Sequence, residues 1–206
     1  NDGTITIVHN GIIENAVNLL ERVEKMGYDV KSETDSELIV HLLDNELKAL
    51  PKSMSPLEAF ESTISKLSGS WAIAVIITGM EGILVARNGA PLIIGRGHDC
   101  ISISSDVQPF YGSCSEVAYL NDGDIFLVTE NGIEGGSGKM IPEFETLEGV
   151  YEEEDSGIYP HMMLKEIHDQ PISLSNVLGG RISADGSRAE LGGFELTPEQ
   201  LRGLDR

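Results

Sequence analysis

The chain has 206 residues, 40% of them hydrophobic and 23% charged, a composition that supports a folded core and argues against a disordered chain. Fourteen Lys and Arg stand against 34 Asp and Glu, a formal charge of −20. That acidity argues against a nucleic-acid backbone or an anionic membrane as partner, because both need a basic face. No apolar run approaches the length of about 20 residues that spans a bilayer, and no signal-peptide pattern stands before the first strand. The two cysteines, Cys100 and Cys114, form no CxxC pair and the five His are scattered, so no metal spacing is visible. Two small, buried thiols suit a reducing cytoplasm, which is the expected location.

Thr4 to Val8 alternates β-branched residues and is predicted as a strand. His9-Asn10-Gly11 follows, and Ile13 to Met26 is predicted as a helix with Ile13, Val17, Leu20 and Val23 buried and Gly27 closing it. A second helix is expected over 36–50. A third starts at Ser55-Pro56-Leu57-Glu58, where Ser caps, Pro takes the first helical position and Glu completes a capping box. The pattern then switches to period two. Short strands are predicted over 70–78, 82–87, 91–97 and 101–105, followed by "VAYL" and "DIFLVT" about an Asn121-Asp122-Gly123 hairpin turn. Strands in series with tight turns predict an antiparallel sheet under layered helices, an α+β fold. The acidic stretch from Pro142 is expected to be an exposed link. "HMMLKEIHDQP" (161–171) is expected to begin a helix with Met163, Leu164 and Ile167 on one side, and "TPEQLRGL" (197–204) to form a short one.

Three motifs carry candidate chemistry. Asn10-Gly11 is a tight turn by its backbone preferences. At a strand-to-helix junction, however, the Gly N–H and the Asn side-chain amide can converge as the two donors of an oxyanion hole. In "SETDSE" (32–37), Thr34 and Glu37 have capping-box spacing and Asp35 is a favourable first-turn acid; alternatively, Asp35 receives a substrate ammonium. His161 and His168 lie seven apart, but without a third ligand they make a poor metal site. Neither cysteine has an adjacent base, and no nucleophile elbow is present.

Taken in order, "VHNGIIEN", "SETDSE" and "HMMLKEIHDQP" resemble the glutaminase half of the glutamine–fructose-6-phosphate aminotransferases, the glucosamine-6-phosphate synthases, which are class II glutamine amidotransferases. "ARNGAPLIIG" and "LNDGDI" extend the resemblance through nearly the whole chain. It implies a four-layer αββα sandwich of the N-terminal-nucleophile type. It also implies a mechanism without a cofactor, in which an N-terminal cysteine attacks the glutamine side-chain amide and ammonia passes to fructose 6-phosphate in an isomerase half. On this resemblance Asn10 and Gly11 are the oxyanion donors, and Asp35 binds the α-amino group of glutamine.

The chain also departs from that pattern. The chain opens on Asn1 and not on a cysteine, and neither Cys100 nor Cys114 matches the nucleophile. The family's carboxylate-clamping Arg belongs to a segment before Asn1. The expectation is therefore a fragment, inactive alone: residues 1–150 a partial glutaminase domain and 151–206 a segment leading toward a sugar-isomerase domain. Uncovered strand edges would favour a homodimer. A non-catalytic amino-acid-binding module and a different class II amidotransferase remain as alternatives.

Overall fold

A computed structural model describes residues 3–49, 55–138, 140–148, 156–183, 185–186, 189 and 200. The chain divides into two units, Asn1–Tyr151 and Glu152–Arg206. The predicted helix over 197–204 lies outside the described residues apart from Gln200.

Among its described residues the first unit has nine strands and three α-helices. One sheet has the order β1 (Ile5–Ile13), β2 (Gly69–Ile77), β3 (Ile83–Asn88), β7 (Ile125–Thr129), β8 (Gly132–Gly135). The other has the order β5 (Ile101–Ser104), β4 (Ile93–Arg96), β6 (Glu116–Tyr119), β9 (Glu145–Thr146). All pairings are antiparallel. Helices α1 (Ala16–Lys25), α2 (Asp35–Ala49) and α3 (Pro56–Ile64) pack on the outer face of the first sheet. Leu19, Val23, Ile39, Leu43 and Phe60 meet Ile73 and Leu84 there. Between the sheets, Ala72, Ala74, Val85 and Phe126 meet Ile94 and the β5 isoleucines. A third cluster, Ile93, Phe110 and Val117, lies on the far face of the second sheet under the short 3-10 turn Gln108–Phe110. Successive residues of the inner strands are thus buried on alternate faces, which is what fastens layer to layer.

The structure corrects several expectations. The first strand does not stop at Val8; it runs through His9-Asn10-Gly11 to Ile13, because β2 pairs with all of it. Helix α1 begins only at Ala16, and its buried residues are Leu19 and Val23, whereas Val17 is 74% exposed. The Asn15 side chain secures that junction, donating to the Lys66 carbonyl and accepting from Ser68 N–H. Asn121-Asp122-Gly123 does not turn a hairpin. It carries the chain from β6 in one sheet to β7 in the other. Cys100 is exposed and Cys114 half-buried, where both were expected inside.

The α3 capping box is present as read: Ser55 Oγ accepts from Glu58 N–H and the Glu58 carboxylate from Ser55 N–H. In the second unit α4 spans Met162–Leu178, with the His161 side chain accepting from Leu164 N–H at its start. His168 stacks on Tyr159, so the two His of this segment serve different partners. None of the described helices is long and apolar enough to cross a membrane.

Candidate active site at the end of strand β1

In an antiparallel pair, alternate residues turn their N–H and C=O toward the partner and away from it. Thr4 C=O and Glu14 N–H both bond toward β2, at Thr78 and Ser68. Even-numbered residues of β1 therefore face β2, and odd-numbered ones face the other way. Among the described residues no strand lies on that side. The N–H groups of Gly11 and Ile13 thus project from the free edge. Asn10, opposite Ala72, turns its side chain to the inter-sheet face. There it lines a groove of about 510 Å³ together with Val8, Ala74, Leu92, Ile103 and Ser104.

Position 11 accepts glycine alone. Its φ is +113°, and a β-carbon would sit 2.1 Å from the Ser70 carbonyl oxygen and 2.8 Å from the Trp71 Cα. Across the pair, Gly69 has φ +117°, and a β-carbon there would sit 2.4 Å from the Ile12 carbonyl oxygen. Two glycines let the strands approach more closely than side chains allow.

Asp35 is the first residue of α2 and meets this edge. Its Oδ2 accepts the Ile13 N–H at 2.9 Å. Its Oδ1 lies 3.4 Å from His9 Nδ1, and its side chain is a quarter exposed. Gly11 and Ile13 are two residues apart, about 7 Å along a strand. The three residues expected from the sequence therefore gather at one end of β1: Asn10 on the groove side, Gly11 N–H at the edge, and Asp35 two residues further on.

The loop that delivers Asp35 is fixed by Glu37. Its carboxylate accepts from Ser32 Oγ, Ser32 N–H and Lys31 N–H. His41 Nε2 lies 3.2 Å from it, and His41 in turn packs on Tyr28. This replaces the expected Thr34–Glu37 capping box: Glu37 serves the amides of the preceding turn instead. The Ser32 hydroxyl and the Lys31 N–H hold the Glu37 carboxyl down at about 2, against the opposing effect of burial. A folded-state value below the unfolded one stabilises the fold above pH of about 4.5, and that stabilisation disappears as pH falls toward 2. With the side chain 19% exposed, the contribution is on the order of 2–3 kcal/mol. Thermal melts from pH 6 to pH 2 are expected to show a steeper acid loss for the parent than for Glu37→Gln. Superimposable acid limbs would refute the clasp.

Sequence reasoning missed His9, Ser36 and the Glu37–His41 pair. Only one signal was available for His9. Period two places it on the face of Ile5, Ile7 and Ile13, where an imidazole needs a polar partner. Among the residues lining the groove there is no Cys, Lys or Arg. Burial pushes the Cys114 thiol up, the wrong direction for a nucleophile.

A glutamine amidotransferase domain model matches residues 1–112, and the chain belongs to that family. Curated relatives that align with it along nearly its whole length are named glutamine–fructose-6-phosphate aminotransferase (isomerizing). The one from Thermus thermophilus is 35% identical over 203 residues, 97% of this chain and 33% of the relative. That from Halobacterium salinarum is 34% identical over 98% of this chain and 33% of the relative. That from Vibrio vulnificus is 38% identical over 89% and 30%. The chain thus spans about a third of the length of these relatives. Among solved structures, the glutamine phosphoribosylpyrophosphate amidotransferase of B. subtilis, complexed with ADP and GMP, superimposes with a TM-score of 0.56. That match has 21% identity and covers 69% of this chain and 30% of the other. A second, described as the allosteric regulatory enzyme of purine biosynthesis, gives 0.54 at 21% identity over 68% and 30%. The chain shares its fold with these two structures, an α+β sandwich.

Proposed function

We propose that this chain provides the glutamine-binding and oxyanion part of a glutamine–fructose-6-phosphate aminotransferase. In that reaction a thiol adds to the side-chain amide carbon of glutamine. The oxygen gathers negative charge between the Asn10 side-chain N–H and the Gly11 N–H. Collapse releases ammonia and leaves a γ-glutamyl thioester, which water converts to glutamate. The ammonia goes to fructose 6-phosphate and yields glucosamine 6-phosphate. Asp35 receives the α-ammonium of glutamine, which sets the distance from that end of the substrate to the reacting carbon.

The observation that carries this reading is the edge of β1: a glycine N–H projecting from an unpaired edge, an Asn amide beside it, and a carboxylate clamped two residues on. The test is Asp35→Asn in the full-length gene product. Losing a charge-assisted contact worth about 1.5–3 kcal/mol raises KM for glutamine about 10- to 100-fold. Turnover of 4-carbamoylbutanoate, which is glutamine without its α-ammonium, is expected to stay unchanged. An unchanged preference for glutamine over that analogue would remove Asp35 from the site.

A second reading, an amino-acid-binding module without chemistry, is favoured by the lack of a cysteine among the residues lining the groove. Calorimetry with glutamine, alongside an ammonia-release assay on the full-length gene product, separates the two. Binding without release supports the module, and release supports the enzyme.

A further inference from the structure

His9 lies next to Asn10 but faces the opposite way. Its side chain is 2% exposed. Nδ1 lies 3.0 Å from Ser36 Oγ and 3.4 Å from Asp35 Oδ1. Nε2 is buried and has no hydrogen-bond partner among the described residues. A proton on Nδ1 suits this arrangement. It gives the Ser36 hydroxyl a donor, sets the N–H beside the Asp35 carboxylate 3.4 Å away, and leaves Nε2 as a bare acceptor, a lesser loss than a buried N–H without an acceptor. An imidazole with one nitrogen unsatisfied is a poor choice for packing alone, since an apolar residue would fill the space without an orphaned atom.

What the imidazole does hold is Asp35. The carboxylate has two oxygens, and both face β1: Oδ2 accepts the Ile13 N–H at 2.9 Å, and Oδ1 lies 3.4 Å from His9 Nδ1. His9, Gly11 and Ile13 are alternate residues of one strand, so they form a single rigid row. The acid thereby takes its position from the strand that carries the oxyanion donor, not from its own helix. For a substrate whose ammonium and reacting amide are joined by a short chain, that spacing decides productive binding.

We propose that His9, seated by Ser36, is a positioning residue that orients the Asp35 carboxylate for the α-ammonium of glutamine. The inference rests on the reading of Asp35 given above. It does not make His9 a base, because Nε2 is buried and the geometry brings Nδ1 to Asp35 and Ser36 and to no reacting atom.

The test compares His9→Phe, His9→Asn and Asp35→Asn in the full-length gene product, with glutamine and with 4-carbamoylbutanoate. Asparagine can present an N–H where Nδ1 stands; phenylalanine cannot. His9→Phe is expected to raise KM for glutamine about tenfold, to leave kcat within about threefold, and to leave the analogue unaffected. His9→Asn is expected to restore most of the loss. In the Asp35→Asn background His9→Phe is expected to change nothing further, the mark of two residues acting through one contact. If His9→Phe does not fold, Ser36→Ala reports on the same contact, with a rise in glutamine KM of about threefold. Equal losses with glutamine and with the analogue, or additive effects in the double variant, would overturn the proposal. If Asp35→Asn itself leaves the preference for glutamine intact, the reading of Asp35 fails first. If Asp35→Asn abolishes that preference and His9→Phe does not touch it, only the role of His9 fails.

Discussion

Asn10→Ala in the full-length gene product is expected to lower kcat for glutamine hydrolysis about 10²- to 10³-fold while KM stays within about threefold. The asymmetry follows from what the side chain meets. A donor aimed at charge that exists only in the transition state contributes about 3 kcal/mol there and little in the ground state. Asn10 is suited to such a task because it is not needed by the fold. It is exposed, it lines an open groove, and its backbone already pairs with β2. Stability should therefore change by less than about 0.5 kcal/mol. Steady-state kinetics with an ammonia readout, together with a thermal melt, provide both numbers. A KM rise with kcat preserved would make Asn10 a binding residue and remove the oxyanion role.

Gly11→Ala is expected to do the reverse, destroying the fold before the chemistry can be measured. At φ +113° an alanine is strained, and its methyl carbon would overlap the backbone of Ser70 and Trp71. Neither neighbour is a flexible side-chain end that can swing aside. Strain of about 1–3 kcal/mol, with a backbone clash added, should exceed about 4 kcal/mol in all, a drop in Tm of about 10 °C or more. Gly27 is the internal control. It also has positive φ (+89°), but a β-carbon there has nothing within 4 Å. Gly27→Ala should therefore cost only the conformational part, about 1–2 kcal/mol. Equal melting temperatures for the two variants would show that the close approach of β1 and β2 does not exist in solution.

These two positions show what could be read from the sequence and what could not. Asn10-Gly11 was recognisable as unusual, and the oxyanion role proposed for it came from the resemblance that the three motifs carry together. Its place in the fold did not follow. A glycine with positive φ inside a paired strand is dictated by Ser70 and Trp71 across the ladder, and no local pattern within 4–20 announces them. The α3 start was legible because Ser55, Pro56 and Glu58 act on their own neighbours within one turn. The sheet partition was not, because "VAYL" and "DIFLVT" alternate alike whether they pair with each other or part company. Val17, expected inside, is exposed and Leu19 is buried for a related reason. Both fit a helical stripe, and the true start at Ala16 was set by Asn15 gripping the loop at Lys66 and Ser68. His9 was not legible because its partners, Asp35 and Ser36, lie 26 and 27 residues further along the chain.

The change of sheet at Asn121–Asp124 has a consequence for how the chain reaches this shape. β3 and β7 are neighbours, yet all of the second sheet except β9 lies between them in sequence. β1 and β2 are likewise neighbours separated by three helices. Each adjacency in the first sheet that flanks β2–β3 must therefore close a long loop before it gains any stabilisation. Such a connectivity predisposes to slow assembly around the local β2–β3 pair, with β1 joining only after the helices have gathered beneath it. The strand that bears Asn10, Gly11 and His9 thus finds its only strand partner among the described residues far along the chain, and this connectivity predicts that the edge carrying them forms late in folding.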